Sequence, residues 1–305
     1  MLATDPLVLA VHGSALPAAG ATVGRLCDAV EARLGTRPTV GHLDHQLPSL
    51  KGALASGSVV VPLLLGDGYH RTVDIPAVVA AHGGGGCRLT PSLSGASEVD
   101  TALYERLCAA EREAGPGAVP GAEHAVGREA GWQAEREAGL QTWHEAERQA
   151  GREAERQAWR EAERQAEREV GPKAEHAVGR GVGLKGGGPV DAIVFAAAGS
   201  SRPGGNGGAL VAARRLAMRR PGTPMVVAYC SAAEPTVPEA LARLRAAGHR
   251  RIGIVTHLLA PGRFTQALDA AGADLVTAPL ADHPALASLV VRRYRAACRI
   301  AAVAA

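Results

Sequence analysis

The sequence predicts an α/β protein of two similar lobes, each with a parallel sheet, interrupted by a long charged helical insertion. Three observations carry that expectation. In residues 1–110 and again in 190–305, short apolar runs rich in β-branched residues alternate with stretches whose apolar positions recur at helical spacing, the pattern of strands joined by crossover helices. The later half repeats the earlier one motif for motif. Between them, residues 111–189 turn largely to Ala, Glu, Arg, Gln and Gly. The expected organisation is an N-terminal lobe over 1–110, a low-complexity insertion over 111–189 and a C-terminal lobe over 190–305.

A chain of 305 residues, 47% hydrophobic, is long enough for about two domains. Aromatic residues are scarce at 3%, so the core has to be built from Ala, Val and Leu. The five cysteines (Cys27, Cys87, Cys108, Cys230, Cys298) are odd in number and without close pairs, which fits buried thiols in a reducing compartment and not a disulfide framework or thiolate zinc site. No basic stretch followed by an apolar one opens the chain, and no apolar run reaches about 18 residues, so a cytoplasmic protein without membrane contact is expected.

The net charge of +3 hides an asymmetry: 7 basic and 9 acidic residues in 1–110, 12 and 15 in 111–189, and 14 and 6 in 190–305. A basic C-terminal lobe favours an anionic partner. No nucleic-acid motif or interleaved aromatics accompany the charge, whereas a polycarboxylate small molecule fits it.

In the N-terminal lobe, Leu7 to Val11 reads as a strand. A helix follows over Ala18 to Leu34, with Val23, Leu26, Val30 and Leu34 on one face. Val40 to Leu43 is a short strand ending in Asp44-His45, Pro48 to Leu54 starts a helix, and 59–65 is a buried strand. Ile75 to Ala81 is helical up to four glycines, Arg88 to Pro91 forms a fourth strand, and a helix runs from about Glu98 to Ala110.

The insertion contains an eight-residue unit three times over, His144 to Gly151, Arg152 to Trp159 and Arg160 to Glu167. Eight residues turn a helix by about 800°, so each unit drifts by about 80° and no fixed apolar face forms. The pairs Glu145/Arg148, Glu153/Arg156 and Glu161/Arg164 support a solvated, charge-laced helix worth roughly a few tenths of a kcal/mol per pair. Ala122 to Arg128 recurs letter for letter as Ala174 to Arg180, a sign of growth by repeat expansion.

The C-terminal lobe is expected to run as a strand over Asp191 to Ala197, a helix near Ala209 to Arg219, a strand over Met225 to Tyr229 and a helix over Pro235 to Ala247. Then come a strand over Ile252 to Leu259, a short strand over Asp274 to Thr277 and a last helix over Pro284 to Cys298. Ala198-Gly199-Ser200 stands where His12-Gly13-Ser14 stood, and Phe264 where His70 stood. One lobe therefore keeps the chemistry and the other keeps shape and charge.

The chemistry centres on two strand ends. The strand before Gly66-Asp67-Gly68 delivers Tyr69 and His70, and the first strand delivers His12, all at the carboxyl ends where ligands of parallel sheets bind. Asp74 lies four residues after His70, so a helical turn brings a carboxylate to one imidazole nitrogen and leaves the other for metal or a proton; Asp74 can equally serve as a charge at a helix N-terminus. Two imidazoles with Asp44, itself a candidate helix cap, can hold a divalent ion with an open position or act as bases. His42, His45 and His257 read as local or surface groups; His82, His249, His283 and the insertion's His124, His144 and His176 read as surface. The irregular glycine loop Pro203 to Gly208 does not read as a phosphate loop but as a flexible one beside the substrate.

His-Gly-Ser after one strand, with Gly-x-Gly-Tyr-His-x-x-x-Asp-Ile-Pro after another, resembles the CbiX/SirB type of sirohydrochlorin chelatase, a class II tetrapyrrole chelatase. The matching stretches are Leu7 to Ser14, Leu43-Asp44 with Pro48-Ser49-Leu50, and Val59 to Pro76, within a resemblance that is close over 5–110 and looser over 190–305. It implies two flavodoxin-like or Rossmann-like lobes around a macrocycle cleft, no nucleotide, and insertion of Fe2+, or next Co2+, as a substrate metal for sirohaem or cobalamin synthesis. It implies His12 and His70 as the catalytic, metal-binding and proton-accepting pair. Asp44 falls where the family often has glutamate and completes the metal set. Sirohydrochlorin is a polycarboxylate, so Arg71, Arg202 and Arg263, with Ser14 and Tyr69, are candidate substrate contacts. The rival readings are a non-catalytic metal- or tetrapyrrole-binding protein, and an interaction protein recruiting a protein partner through the helical insertion.

Overall fold

The computed structural model describes residues 5–14, 16–44, 46–66, 68–82, 86–114 and 189–304. The helix expected over the insertion lies outside the described residues.

Each half folds into a four-stranded, fully parallel sheet. In the first, β1 (Leu7–Val11), β2 (Thr39–His42), β3 (Val59–Pro62) and β4 (Arg88–Leu89) lie in the order β2-β1-β3-β4. Helices α1 (Pro17–Leu34), α2 (Leu50–Ala53), α3 (Ile75–Ala81) and α4 (Ser97–Glu113) connect or follow them. In the second, β5 (Ala192–Ala197), β6 (Met225–Tyr229), β7 (Ile252–His257) and β8 (Leu275–Val276) repeat the order as β6-β5-β7-β8. Their helices are α5 (Gly207–Arg219), α6 (Val237–Ala246), α7 (Arg263–Ala270) and α8 (Pro284–Ala304).

The central strands are buried on both faces, which is why they read as unbroken apolar runs. Leu7, Leu9 and Val11 face a core shared by both lobes, while Val8 and Ala10 face Leu50 and Ile75 under α2 and α3. β3 was expected to reach Leu65 but stops at Pro62, because β1 turns away after Val11 and no strand remains to pair with. Leu63 still donates its N–H to Ala10 O and stays buried. Helix α7 was not expected: it is eight residues long, and Leu268 alone among its aliphatic side chains is fully buried. Thr265 closes its first turn by accepting the Gly262 N–H and donating to the Gly262 carbonyl.

The lobes exchange their last helices. Helix α4 leaves its own sheet and packs against α5, β7 and β8 of the second lobe, while α8 packs against α1 and β3 of the first. The shared core records the exchange, joining Leu103 and Leu107 with Ala212 and Leu216, and Leu286, Val290 and Tyr294 with Leu9, Leu26 and Val61. Tyr294 donates its hydroxyl to Asp5 O at 2.7 Å.

Ion pairs line the same seam. Arg220 grips Glu111 through two bonds of 2.7 Å, Arg292 holds Glu98 at 2.7 and 2.9 Å, and Arg215 reaches Asp100 at 3.0 Å. Asp282 receives both Arg25 at 2.8 Å and Arg106 at 2.5 Å. Arg215, Arg220 and Arg292, three of the fourteen basic residues of the second lobe, therefore meet acidic residues of α4. Burial pushes the Glu111 carboxyl up, but the Arg220 guanidinium and the Val190 N–H outweigh it and hold it below the usual range. That Val190 N–H, 3.0 Å from Glu111 Oε1, ties the chain re-entering at β5 to the end of α4.

Candidate active site

The site begins where β1 ends. After Val11 the chain turns at Gly13, which adopts φ +98°, and a Cβ there would collide with the Asp44 carbonyl oxygen. Glycine is required by that approach as well as by the dihedral. Leu43 N–H donates to Val11 O and Asp44 N–H to His12 O, both at 2.9 Å, so the exits of β1 and β2 are stitched side by side. Both His12 and Asp44 open toward solvent there.

The third exit supplies the second imidazole. His70–Asp74 forms a π-helical turn leading into α3, closed by the Ile75 N–H on His70 O. Pro76, at the start of α3, has no N–H to continue a regular ladder, and Ile75 is completely buried, which anchors the turn from below. One widened turn brings His70 Nδ1 to 2.6 Å from Asp74 Oδ2. A carboxylate only accepts, so Nδ1–H donates and Nε2 is the nitrogen left for another partner.

These loops converge. The rings of His12 and His70 lie 4.6 Å apart between centroids, inclined at 56°. Tyr69, 49% exposed, stands edge-on to His70 at 6.5 Å. From the other lobe, the Arg202 guanidinium lies 5.9 Å from the Tyr69 ring centre.

The remaining candidates divide. Ser14 accepts the Leu16 N–H at 3.2 Å, a turn before α1. Arg71 lies in the π turn and is half-buried, its Nε enclosed without a hydrogen-bond partner. Arg263 opens α7 on the corresponding loop of the second lobe and is exposed. His42 is a local group, its Nδ1 3.1 Å from Pro48 O. Two other histidines depart from expectation. His257 is buried at 4% exposure against Phe195, and desolvation pulls its pKa down to about 4. His283 is buried at the seam, with Nε2 3.1 Å from Glu105. His45 and Asp67, and the insertion's histidines, lie outside the described residues.

The second lobe keeps the scaffold without the imidazoles. Gly199 repeats the positive φ of Gly13, and Ser231 N–H donates to Ala198 O as Asp44 does to His12. The positions of His12, Asp44, His70 and Asp74 are taken by Ala198, Ser231, Phe264 and Leu268. What the sequence did not disclose is how closely the two loop systems meet: a Cβ on Gly66 would lie 3.3 Å from Gly205 O, and one on Gly208 would collide with Ser94 Oγ. Among the described residues no three His, Cys, Asp or Glu side chains are gathered closely enough to hold a metal ion, and the five cysteines form no disulfide.

A model of the CbiX family matches residues 6–110 and again residues 192–297, one match per lobe. The chain belongs to the CbiX family. Among solved structures, SirB from Bacillus subtilis with Fe3+ aligns over 96% of this chain and 94% of its own, at 17% identity and a TM-score of 0.57. The sirohydrochlorin chelatase SirB from Bacillus subtilis subspecies spizizenii, in complex with cobalt, aligns over 97% and 96% at 16% identity and a TM-score of 0.57. CbiX, described as the terminal enzyme for biosynthesis of siroheme in denitrifying bacteria, aligns over 96% and 99% at 16% identity and a TM-score of 0.52. At such identities the likeness is one of fold. Comparison with curated protein sequences gives no match. The two CbiX matches coincide with the two sheets, and no helix among the described residues is long and apolar enough to cross a membrane.

Proposed function

We propose that this CbiX protein is a cytoplasmic sirohydrochlorin chelatase that inserts a divalent metal, Fe2+ first and Co2+ next, without a nucleotide. The reading rests on one observation above the others: two imidazoles from neighbouring strand ends, 4.6 Å apart, in the lobe that retains them. The SirB structures with Fe3+ and with cobalt support the choice of metals.

Insertion exchanges two pyrrole N–H protons for one divalent ion. Neutral imidazoles suit both halves of that exchange, as ligands for the arriving ion and as acceptors for the departing protons. Asp74 fixes which nitrogen of His70 is available, since the proton it holds at Nδ1 leaves Nε2 to face the reaction. Asp44, whose backbone is tied to His12, is the third ligand in this scheme, and it acts once the ion is present. Ser14, Tyr69, Arg71, Arg202 and Arg263 are the residues proposed to receive the macrocycle and its carboxylates, with Arg202 and Tyr69 nearest the imidazoles.

The test is anaerobic incubation of the protein with sirohydrochlorin and Fe2+, Co2+ or Ni2+ in parallel, followed by absorbance. Metallation above the uncatalysed rate with Fe2+ or Co2+ is expected. A tetrapyrrole spectrum that shifts on binding but never on metal addition would instead mark a carrier, and the assignment as an enzyme would fall.

A further inference from the structure

Resting on that reading, we propose that Tyr69 and Arg202 form a latch between the lobes that opens when a carboxylate of the macrocycle takes Arg202 from the Tyr69 ring. Four aromatic and cationic groups form a ladder from one lobe to the other. Arg202 lies 5.9 Å from Tyr69, Tyr69 6.5 Å from His70, and His70 4.6 Å from His12. The outermost rung is the one that joins the lobes, and it stands at the imidazole pair.

The chemistry of the contact makes it exchangeable. A guanidinium on an exposed phenol ring is held weakly, whereas a two-pronged bond to a carboxylate is stronger and geometrically specific. A polycarboxylate therefore outcompetes the ring, and the ring it uncovers offers an apolar face to a flat macrocycle. Arg202 is thus a positioning residue with two successive partners.

The facing loops meet through glycine and small residues: Gly66 against the Gly205 carbonyl, and Gly68 with a Cβ position 3.8 Å from Ser200 Oγ. Gly199 and Gly204, with φ of +90° and +75°, bracket Arg202 on its own loop. The second lobe has no matching ring, because Arg263 occupies the position of Tyr69. The latch is therefore single, like the imidazole pair it covers.

Gly68→Cys with Ser200→Cys puts one thiol on each of the facing loops, a Cβ at position 68 lying 3.8 Å from Ser200 Oγ. The reduced variant is expected to bind and metallate sirohydrochlorin as the parent does. The oxidised variant is expected to lose at least tenfold in both, with recovery on adding a thiol reductant, while each single-cysteine variant is indifferent to oxidation. Independently, Tyr69→Leu is expected to speed sirohydrochlorin association severalfold in stopped flow, since Arg202 no longer has to leave the ring; slower or unchanged association overturns the latch. Cross-linked protein as active as reduced protein overturns it too, leaving the chelatase reading intact. Parent protein that neither binds nor metallates sirohydrochlorin overturns the chelatase reading and the latch with it.

Discussion

His12 and His70 face each other at 4.6 Å across two strand exits, and each is held by a different device. His12 is placed by backbone bonds between neighbouring exits, and His70 by a carboxylate one turn further along its own helix. The two rings are thus positioned by separate means.

His12→Ala or His70→Ala should lower metal insertion by at least about 100-fold, the lower range for loss of an acid–base group. Both side chains are partly open to solvent and outside the core, so the melting temperature should stay close to that of the parent. Steady-state metallation beside thermal unfolding decides it: full activity in either variant refutes the role.

Asp74→Asn keeps the shape of the π turn and removes the charge that fixes His70. Loss of such an orienting carboxylate typically costs about 10–100-fold in metal affinity or activity. Co2+ titration of the variant should show weaker binding at an unchanged fold, and an unaltered titration would leave Asp74 as a helix-terminal charge only.

At the seam, Glu111→Ala strands Arg220, whose side chain is 13% exposed. Breaking a pair this enclosed should cost about 3 kcal/mol, or roughly 10 °C in melting temperature. The folded pKa of Glu111 and of Glu98 lies below the ordinary value, Arg292 being the main cause for Glu98. Their contribution is accordingly present above about pH 4.3, the ordinary carboxylate value, and is lost as pH falls through the lower folded values. Acid unfolding monitored in the parent and in Glu111→Ala should converge at low pH.

His257 predicts a second, milder pH dependence. Its folded pKa of about 4 lies below the ordinary 6.5, so between those values an unfolded chain binds a proton that the native state refuses. Stability should fall as pH drops from 6.5 to 4, by up to roughly 3 kcal/mol. His257→Leu, which copies Leu63 of the first lobe, should flatten the curve; an unchanged slope would show that the native ring is protonated in that range.

Removing residues 115–188 and joining the ends with a short flexible linker should leave the fold and metallation intact. The Glu111–Val190 bond already holds the two ends together, and they meet at the amino end of β5, whereas the imidazoles stand at carboxyl ends. Circular dichroism and the insertion assay check this. An inactive but folded deletion would assign the insertion a part in the chemistry.

The lobes, their order and the imidazole pair were legible because each rests on local pattern: buried strands as apolar runs, exits as glycine turns, a duplication visible by eye. The His70–Asp74 contact followed from spacing alone. What local pattern could not hold was anything decided between distant segments. Helix α7 was missed because it is only eight residues long and follows Pro261-Gly262, which reads as a turn. His257 and His283 looked like surface groups since nothing near them in sequence shows the Phe195 ring or the Glu105 carboxylate that covers them. The positive charge of the second lobe looked like an invitation to a ligand, and three of its arginines answer α4 instead.

The traded helices also scramble the usual map from gene to damage. A substitution at Leu107 is encoded with the first lobe yet loosens the sheet of the second, and one at Val290 does the reverse. Suppressors of either lesion are to be sought in the opposite half of the coding sequence.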